Sequence, residues 1–172
     1  MLVTAPAFSE PTPAIAQPRV QGGDLAAQPR THDDPVLGRL EFDRSLRQWR
    51  GSAQWGAVRV RLVAEGEVDE LLADSLATAH ALWQSLDAWD ARVRRVAADQ
   101  LLSLYEDTWR DAVDGPELDA TAFGERILLQ SIVVYPDGEF ELWFGDDDLF
   151  GGHSIRVVGS LADGPQAATI EG

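Results

Sequence analysis

The hydrophobic pattern of the chain changes its period twice, which restricts the folds open to it. Apolar and polar residues alternate over residues 36–63, apolar residues recur every three or four positions over 68–109, and alternation returns over 127–170. Alternation is typical of strands with one buried face, and the three-four spacing is typical of amphipathic helices. We therefore predict an α+β fold, with helices packed on one face of an antiparallel sheet.

The alternating runs predict three strands before the helices and four after them. The first three cover residues 36–42, 46–54 and 57–63, and the last four cover 127–135, 139–144, 153–158 and 167–170. Pro136-Asp137-Gly138 stands between two alternating runs, which indicates a tight hairpin turn. In the run after this turn, Trp143 is out of phase with the apolar residues and falls on the same side as Glu139 and Glu141.

The helical segment is too long for a single globular helix. It covers about 42 residues with almost no glycine or proline. We expect two helices with a break between Ser85 and Asp90, and a short third helix after Gly115-Pro116. The sheet is thus expected to carry two or three helices between its N-terminal and C-terminal strands.

The N-terminal region has a different composition from the rest. Residues 1–35 hold six of the nine prolines and show no apolar periodicity. This composition predicts a disordered Pro/Ala-rich tail over residues 1–35, followed by a single α+β domain over 36–172. A tail of this kind either docks on a partner or is simply a solvated leader.

The charge of the chain favours some partners and disfavours others. There are 29 acidic residues against 14 basic ones, all arginine, for a formal net charge of −15. Such a surface repels phosphate backbones and anionic lipid, which disfavours direct binding to nucleic acid or membrane. A basic protein or a cation is the favoured partner. The absence of cysteine, together with an N-terminus unlike a secretion signal, leads us to expect a cytoplasmic protein.

The segment 131–160, SIVVYPDGEFELWFGDDDLFGGHSIRVVGS, holds the densest group of candidate site residues. An aromatic residue with an acidic rim is a typical anchor for a basic protein partner. The residues predicted to form this partner-binding surface are Trp143, Glu139, Glu141, Asp146, Asp147, Asp148 and Phe150. The opposing interpretation is that both faces of this strand are buried.

An alternative interpretation of the same segment is a metal site. Asp146, Asp148 and His153 could hold a divalent cation such as Ca²⁺ or Mg²⁺, which would make the chain a metal-dependent enzyme or a cation-binding module. The spacing does not match a calcium-binding EF-hand loop, and an ordinary acidic connection with a hydrogen-bonded His153 explains it equally. We find no nucleophile elbow, phosphate-binding loop or dinucleotide fingerprint, and we predict no catalytic residue.

Three stretches of the chain resemble a bacterial family known as domain of unknown function 2262. They read LGRLEFDRSLRQWRGSAQW, ALWQSLDAWDARVRRVAADQLLSLYEDTW and ILLQSIVVYPDGEFELWFGDDDLFGGHSIRVVGSL, within residues 36–172. The most specific elements are Tyr135-Pro136-Asp137-Gly138 and Leu149 to Ile155, although family members often carry a bulky aromatic where Gly151 stands. The resemblance implies a small intracellular bacterial domain and no particular reaction.

Our leading functional hypothesis combines the charge with the aromatic segment. We expect a small acidic binding protein, immunity-like or inhibitor-like, that neutralises a basic toxin or a nucleic-acid-binding enzyme. Its negative charge would speed the capture of such a partner. No cofactor is expected in this case, whereas the alternative requires Ca²⁺ or Mg²⁺.

Overall fold

The computed structural model describes residues 30–111 and 116–172. Most of the predicted tail, residues 1–29, lies outside the described residues. The last residues of the predicted disordered tail are ordered instead, because Thr31–Asp34 forms a strand. All four of these residues are polar or charged and Pro35 follows them, so the local pattern gives no strand signal. The strand exists because its backbone pairs with residues 38–41.

The sheet has eight strands that lie side by side in the order of the chain. They are β1 Thr31–Asp34, β2 Gly38–Asp43, β3 Gln48–Trp55, β4 Val58–Glu65, β5 Leu128–Val134, β6 Glu139–Gly145, β7 Ser154–Ser160 and β8 Gly164–Glu171. All neighbours are antiparallel except β4 and β5, which are parallel. The α+β class is confirmed, with four N-terminal strands where three were predicted.

The helices form the crossover between the parallel strands β4 and β5. They are α1 Asp69–Gln84, α2 Leu86–Leu104 and α3 Ala120–Arg126. The predicted break is present at Ser85, which separates α1 from α2. A π-helical turn, Tyr105–Trp109, continues α2. A parallel pair needs a long connection, and this crossover supplies it.

The core lies between the helices and one face of the sheet. Leu62, Ile132, Leu142 and Val157 face one another across four adjacent strands, and each is at most 1% exposed. The helical side of this core includes Leu72, Leu76, Ala79, Val93, Ala97 and Leu101. All three helices lie on this face, as predicted. No described helix or strand covers the opposite face, which we call the open face.

No helix of the described part combines the length and the apolar character that crossing a bilayer requires.

Candidate functional site

The open face carries the residues that alternate with the core. One row of aligned residues runs from Val63 through Val133 and Glu141 to Val158. In the next row Trp143 lies between Ser131 and Arg156. Val63 is buried and the two other valines are half-buried, although no described element lies over them. The centre of the open face is therefore partly apolar, with one carboxylate and one tryptophan in it.

Glu141 is the hub of a polar group on this face. Its carboxylate accepts hydrogen bonds from the Tyr135 hydroxyl at 3.0 Å, from Nε1 of Trp143 at 3.0 Å and from an Nη of Arg156 at 2.5 Å. The guanidinium of Arg156 also lies 5.6 Å from the Trp143 ring centroid, within range of a cation–π contact. We call these four residues the open-face cluster. Each of the four side chains is held by at least one contact within the cluster.

The protonation behaviour of the cluster follows from these contacts. Burial acts to raise the pKa of Glu141, but the hydrogen bonds from Arg156, Tyr135 and Trp143 outweigh it and lower the pKa below its ordinary 4.5. Burial together with the Glu141 charge raises the pKa of Tyr135 to about 12. At neutral pH the carboxylate is ionised and the phenol is protonated. Their mutual hydrogen bond therefore persists across the physiological range.

Trp143 and Glu139 both lie on the open face. Trp143 is half-buried on the open face, which answers the question of its direction that the sequence left open. Glu139 is exposed at the start of the same strand and on the same face. A shallow concavity of about 430 Å³ lies beside them, between Tyr135, Glu139 and the β7–β8 turn. Trp143, Glu139 and Glu141 thus share one face of β6, and their role in binding a partner stays a prediction.

The acidic loop between β6 and β7 serves a different purpose. Asp146 is only 5% exposed, and its Oδ2 accepts hydrogen bonds from the backbone N–H groups of Phe150 at 2.8 Å and Gly152 at 3.0 Å. Phe150 is fully buried against Tyr105 and Phe123. The prediction that Asp146 and Phe150 contact a partner is therefore wrong, because both point into the protein.

The two remaining aspartates of the loop are exposed but lie away from Trp143. Nε of Arg126 donates a hydrogen bond to the Asp147 carboxylate at 2.9 Å, which connects the loop to the end of α3 on the helical side. Asp148 makes no described side-chain contact. Both have positive φ, 48° and 60°, a conformation that aspartate tolerates better than most residues. The loop therefore turns toward the helices and does not extend the open-face cluster.

The metal interpretation is not matched by this geometry. Nδ1 of His153 lies 2.5 Å from the carbonyl oxygen of Phe150, and the ring packs against Trp109. Asp146 is occupied with two backbone amides. Across residues 30–111 and 116–172, no three histidine or acidic side chains gather where they could hold an ion. The predicted ligand set of Asp146, Asp148 and His153 is corrected accordingly.

A cavity of about 790 Å³ lies elsewhere, between α2, α3 and the start of β5. Two of its charged residues, Arg94 and Asp90, hold elements of the fold together. Nε of Arg94 donates to Asp90 at 2.7 Å, and an Nη of Arg94 donates to the carbonyls of Gly124 and Ile127. These contacts join α2 to the end of α3, so Arg94 and Asp90 have a structural role here.

Sequence reasoning missed two members of the open-face cluster, Tyr135 and Arg156. Both lie outside the predicted acidic run, and only the cross-strand register brings them to Glu141. The alternation of β7 does place Arg156 on the open face. Its distance from Trp143, however, depends on the length and course of the β6–β7 loop. A pairing prediction for β6 and β7 could have found it.

Comparison with known proteins finds one family. Residues 34–170 match the model of DUF2262, described as an uncharacterized protein conserved in bacteria. No curated protein and no solved structure matches the chain.

Proposed function

The chain belongs to the bacterial family DUF2262, and from that premise we propose that it is a cytoplasmic binding protein that neutralises a basic protein partner. The surface that would make the contact is the C-terminal half of the open face. The observation that carries the proposal is the open-face cluster, a tryptophan and an already hydrogen-bonded carboxylate on a sheet face that no described element covers.

The cluster has the features of an interface centre. Tryptophan, tyrosine and arginine are the residues most enriched at binding hot spots. Covering a carboxylate is costly when the group is unpaired, but Glu141 already has three donors and its side chain is only 14% exposed. A partner that covers Trp143 would therefore gain apolar burial at a small desolvation cost.

The charge of the protein supports a basic partner. The formal net charge is −15, and Glu139 stands exposed beside the cluster. A negative field speeds the approach of a positively charged protein and weakens with added salt. In the most concrete version the partner is a basic enzyme whose active site is occluded, as an immunity protein or an inhibitor would do.

The test begins with a pull-down of the tagged protein from its native bacterium at low salt. Binding of the recovered partner is then measured by calorimetry for the wild-type protein and for Trp143→Ala. A hot-spot tryptophan contributes about 2 kcal/mol or more, so the variant should bind about 30-fold more weakly.

Trp109→Ala is the matched control, since Trp109 is 39% exposed but lies on the helical side. It should keep the wild-type affinity for the partner. Equal affinity of Trp143→Ala and wild-type protein, with both shown to be folded by circular dichroism, would defeat the proposal. Glu139→Lys should slow association and reduce its dependence on salt.

A further inference from the structure

Two arginines on the open face stand apart from all the others that the structure describes. Arg59 and Arg61 lie on β4, two positions apart and therefore on the same face, and both are exposed. Within the described part of the chain, neither guanidinium has an ion pair, a hydrogen bond or an aromatic ring contact. Every other described arginine has at least one such contact.

This lack of partners is informative because carboxylates are abundant. The chain has 29 acidic residues for 14 arginines, so an exposed arginine usually finds a carboxylate within reach. Nearby arginines illustrate this, since Arg50 pairs with Asp43 at 3.2 Å and Arg39 lies 3.7 Å from Glu41. The arginine pair, Arg59 and Arg61, is thus left with its donors directed to solvent.

The surroundings of the arginine pair form a depression rather than a ridge. A concavity of about 710 Å³ lies over β2, β3 and β4. Four arginines line it, the pair together with Arg39 and Arg50, and so do two carboxylates, Glu41 and Asp43. Ser52 on β3 lies directly opposite Arg61 and is small and exposed, so it leaves room beside the Arg61 guanidinium. A carboxylate entering here can be bound bidentately, which is the geometry that guanidinium groups favour.

The arginine pair and the open-face cluster lie close enough for a single partner. Arg61 faces Ser131 on β5, and Ser131 faces Trp143 on β6. Arg61 and Trp143 are therefore two strand spacings apart, about 10 Å. An interface of ordinary size, about 800 Å² on each protein, covers both.

We propose that Arg59 and Arg61 bind acidic side chains of the same protein that the open-face cluster binds. The inference rests on the proposed function and names a further property of the partner. Its docking surface carries basic groups over β6 and β7, and acidic groups about two strands away, over β4. A partner with a uniformly basic surface would leave the arginine pair facing like charge.

The chemistry of the neighbours favours a protein over a nucleic acid as the anionic ligand. Glu41 and Asp43 line the same concavity and Glu65 lies four positions beyond Arg61 on the same face, and these carboxylates would repel the successive phosphates of a polynucleotide. A single carboxylate on a protein surface brings one negative charge to Arg59 and Arg61, whereas a polynucleotide brings a series of them. The net charge of −15 acts in the same direction.

The experiment maps two short peptides on the ¹⁵N-labelled full-length protein by amide chemical shifts. Tetraglutamate should shift the amides of β4 around Arg59 and Arg61 with millimolar affinity, whereas tetralysine should shift the amides of β6 and β7 around Glu139 and Trp143. In the double variant Arg59→Gln/Arg61→Gln the tetraglutamate shifts should disappear, and the tetralysine shifts should remain.

The double variant Arg47→Gln/Arg95→Gln is the matched control. It removes the same charge from exposed arginines that are already paired with Glu67 and Asp99. Tetraglutamate should shift β4 in this control as in the wild-type protein. Persistence of the shifts in Arg59→Gln/Arg61→Gln, or their scatter over all arginines, would overturn the inference.

Two further outcomes would also overturn it by naming another occupant. Oligothymidine that shifts the β4 amides at lower concentration than tetraglutamate would indicate a nucleic acid. Shifts of β4 and β6 that grow with protein concentration alone would indicate a second copy of the chain. If tetralysine fails at β6 and β7 while tetraglutamate succeeds at β4, the proposed function fails and the arginine pair stands as an anionic-protein site.

Discussion

At the scale of single residues, neighbouring aspartates in one loop have three different roles. Asp146 is buried and binds two backbone amides, Asp147 pairs with Arg126, and Asp148 is exposed. A run of three aspartates looks like one acidic cluster in the sequence, because the direction of each side chain is not written there. The direction depends on the backbone angles of the folded loop, in which Asp147 and Asp148 have positive φ and Phe150 lies in the core.

Asp146 is expected to matter for stability and Asp148 is not. Asp146→Ala leaves the N–H groups of Phe150 and Gly152 without their acceptor, and the first of these is buried. The expected loss is about 2–4 kcal/mol in the free energy of unfolding, measured by urea titration. Asp148→Asn removes an equal charge two residues from Asp146 and places a residue that tolerates positive φ. Its effect on the free energy of unfolding should stay within about 0.5 kcal/mol. Equal effects of the two changes would contradict the anchoring role.

At the scale of elements, most strands and helices could be predicted because each repeats a clear pattern. The alternation of β6 and the three-four spacing of α2 are local properties of the chain. The break at Ser85 was also predictable, since the helical run was too long for one helix. These predictions needed no knowledge of tertiary contacts.

The elements that could not be predicted depend on partners distant in sequence. Strand β1 has only polar and charged residues, and it exists through its pairing with β2. The parallel contact of β4 with β5 joins residues about 70 positions apart, such as Arg61 and Ser131. The open-face cluster depends on that contact and on the β6–β7 register. Two members of the cluster, Glu141 and Trp143, could therefore be predicted from the sequence, whereas Tyr135 and Arg156 could not.

The edge strand β8 is protected by a side chain of α2. The Gln100 amide donates to the carbonyl of Gln166 at 3.0 Å and accepts the N–H of Ala168 at 2.9 Å, as a neighbouring strand would. Edge strands with unsatisfied backbone groups are prone to pair with other chains.

Gln100→Ala should therefore destabilise the protein and promote its association. The expected loss is about 1–2 kcal/mol in the free energy of unfolding, and light scattering during heating should begin at a lower temperature. Gln84→Ala is the control, because Gln84 is equally exposed on α1 and makes no described side-chain hydrogen bond. If both variants scatter light at the same temperature, Gln100 does not protect the edge.

At the scale of the whole molecule, two electrostatic effects oppose each other as the pH falls. At pH 7 the net charge of −15 destabilises the folded chain by self-repulsion, and this decreases toward the isoelectric point near 4.4. Certain carboxylates act the other way, since their pKa values are lower in the folded chain. They are Asp34, Glu141 and Asp43. The pKa of Asp43 is lowered to about 2, chiefly by a hydrogen bond from the side chain of Ser45.

The sign of the second effect follows from proton binding. A carboxylate with a lowered folded pKa stabilises the protein at a pH above its ordinary value, and this contribution is lost as the pH falls through the folded value. For Asp34 burial acts to raise the pKa, but the N–H groups of Leu37 and Val36 and the side chain of His80 outweigh it. The unfolded chain therefore takes up protons first, and acid favours unfolding.

We expect the melting temperature to rise slightly from pH 7 to about pH 5 and to fall steeply below about pH 4, because the two effects dominate in turn.

Asp34→Asn tests whether Asp34 contributes to acid unfolding. An asparagine oxygen can still accept from Val36 and Leu37 but does not titrate, so the variant should be less stable at pH 7 by about 1–2 kcal/mol and should lose less stability in acid. Scanning calorimetry from pH 7 to pH 3 measures both. A variant whose melting temperature falls in parallel with that of the wild-type protein would show that Asp34 does not contribute to acid unfolding. The loss would then have to come from Glu141, Asp43 or the sum of many small shifts.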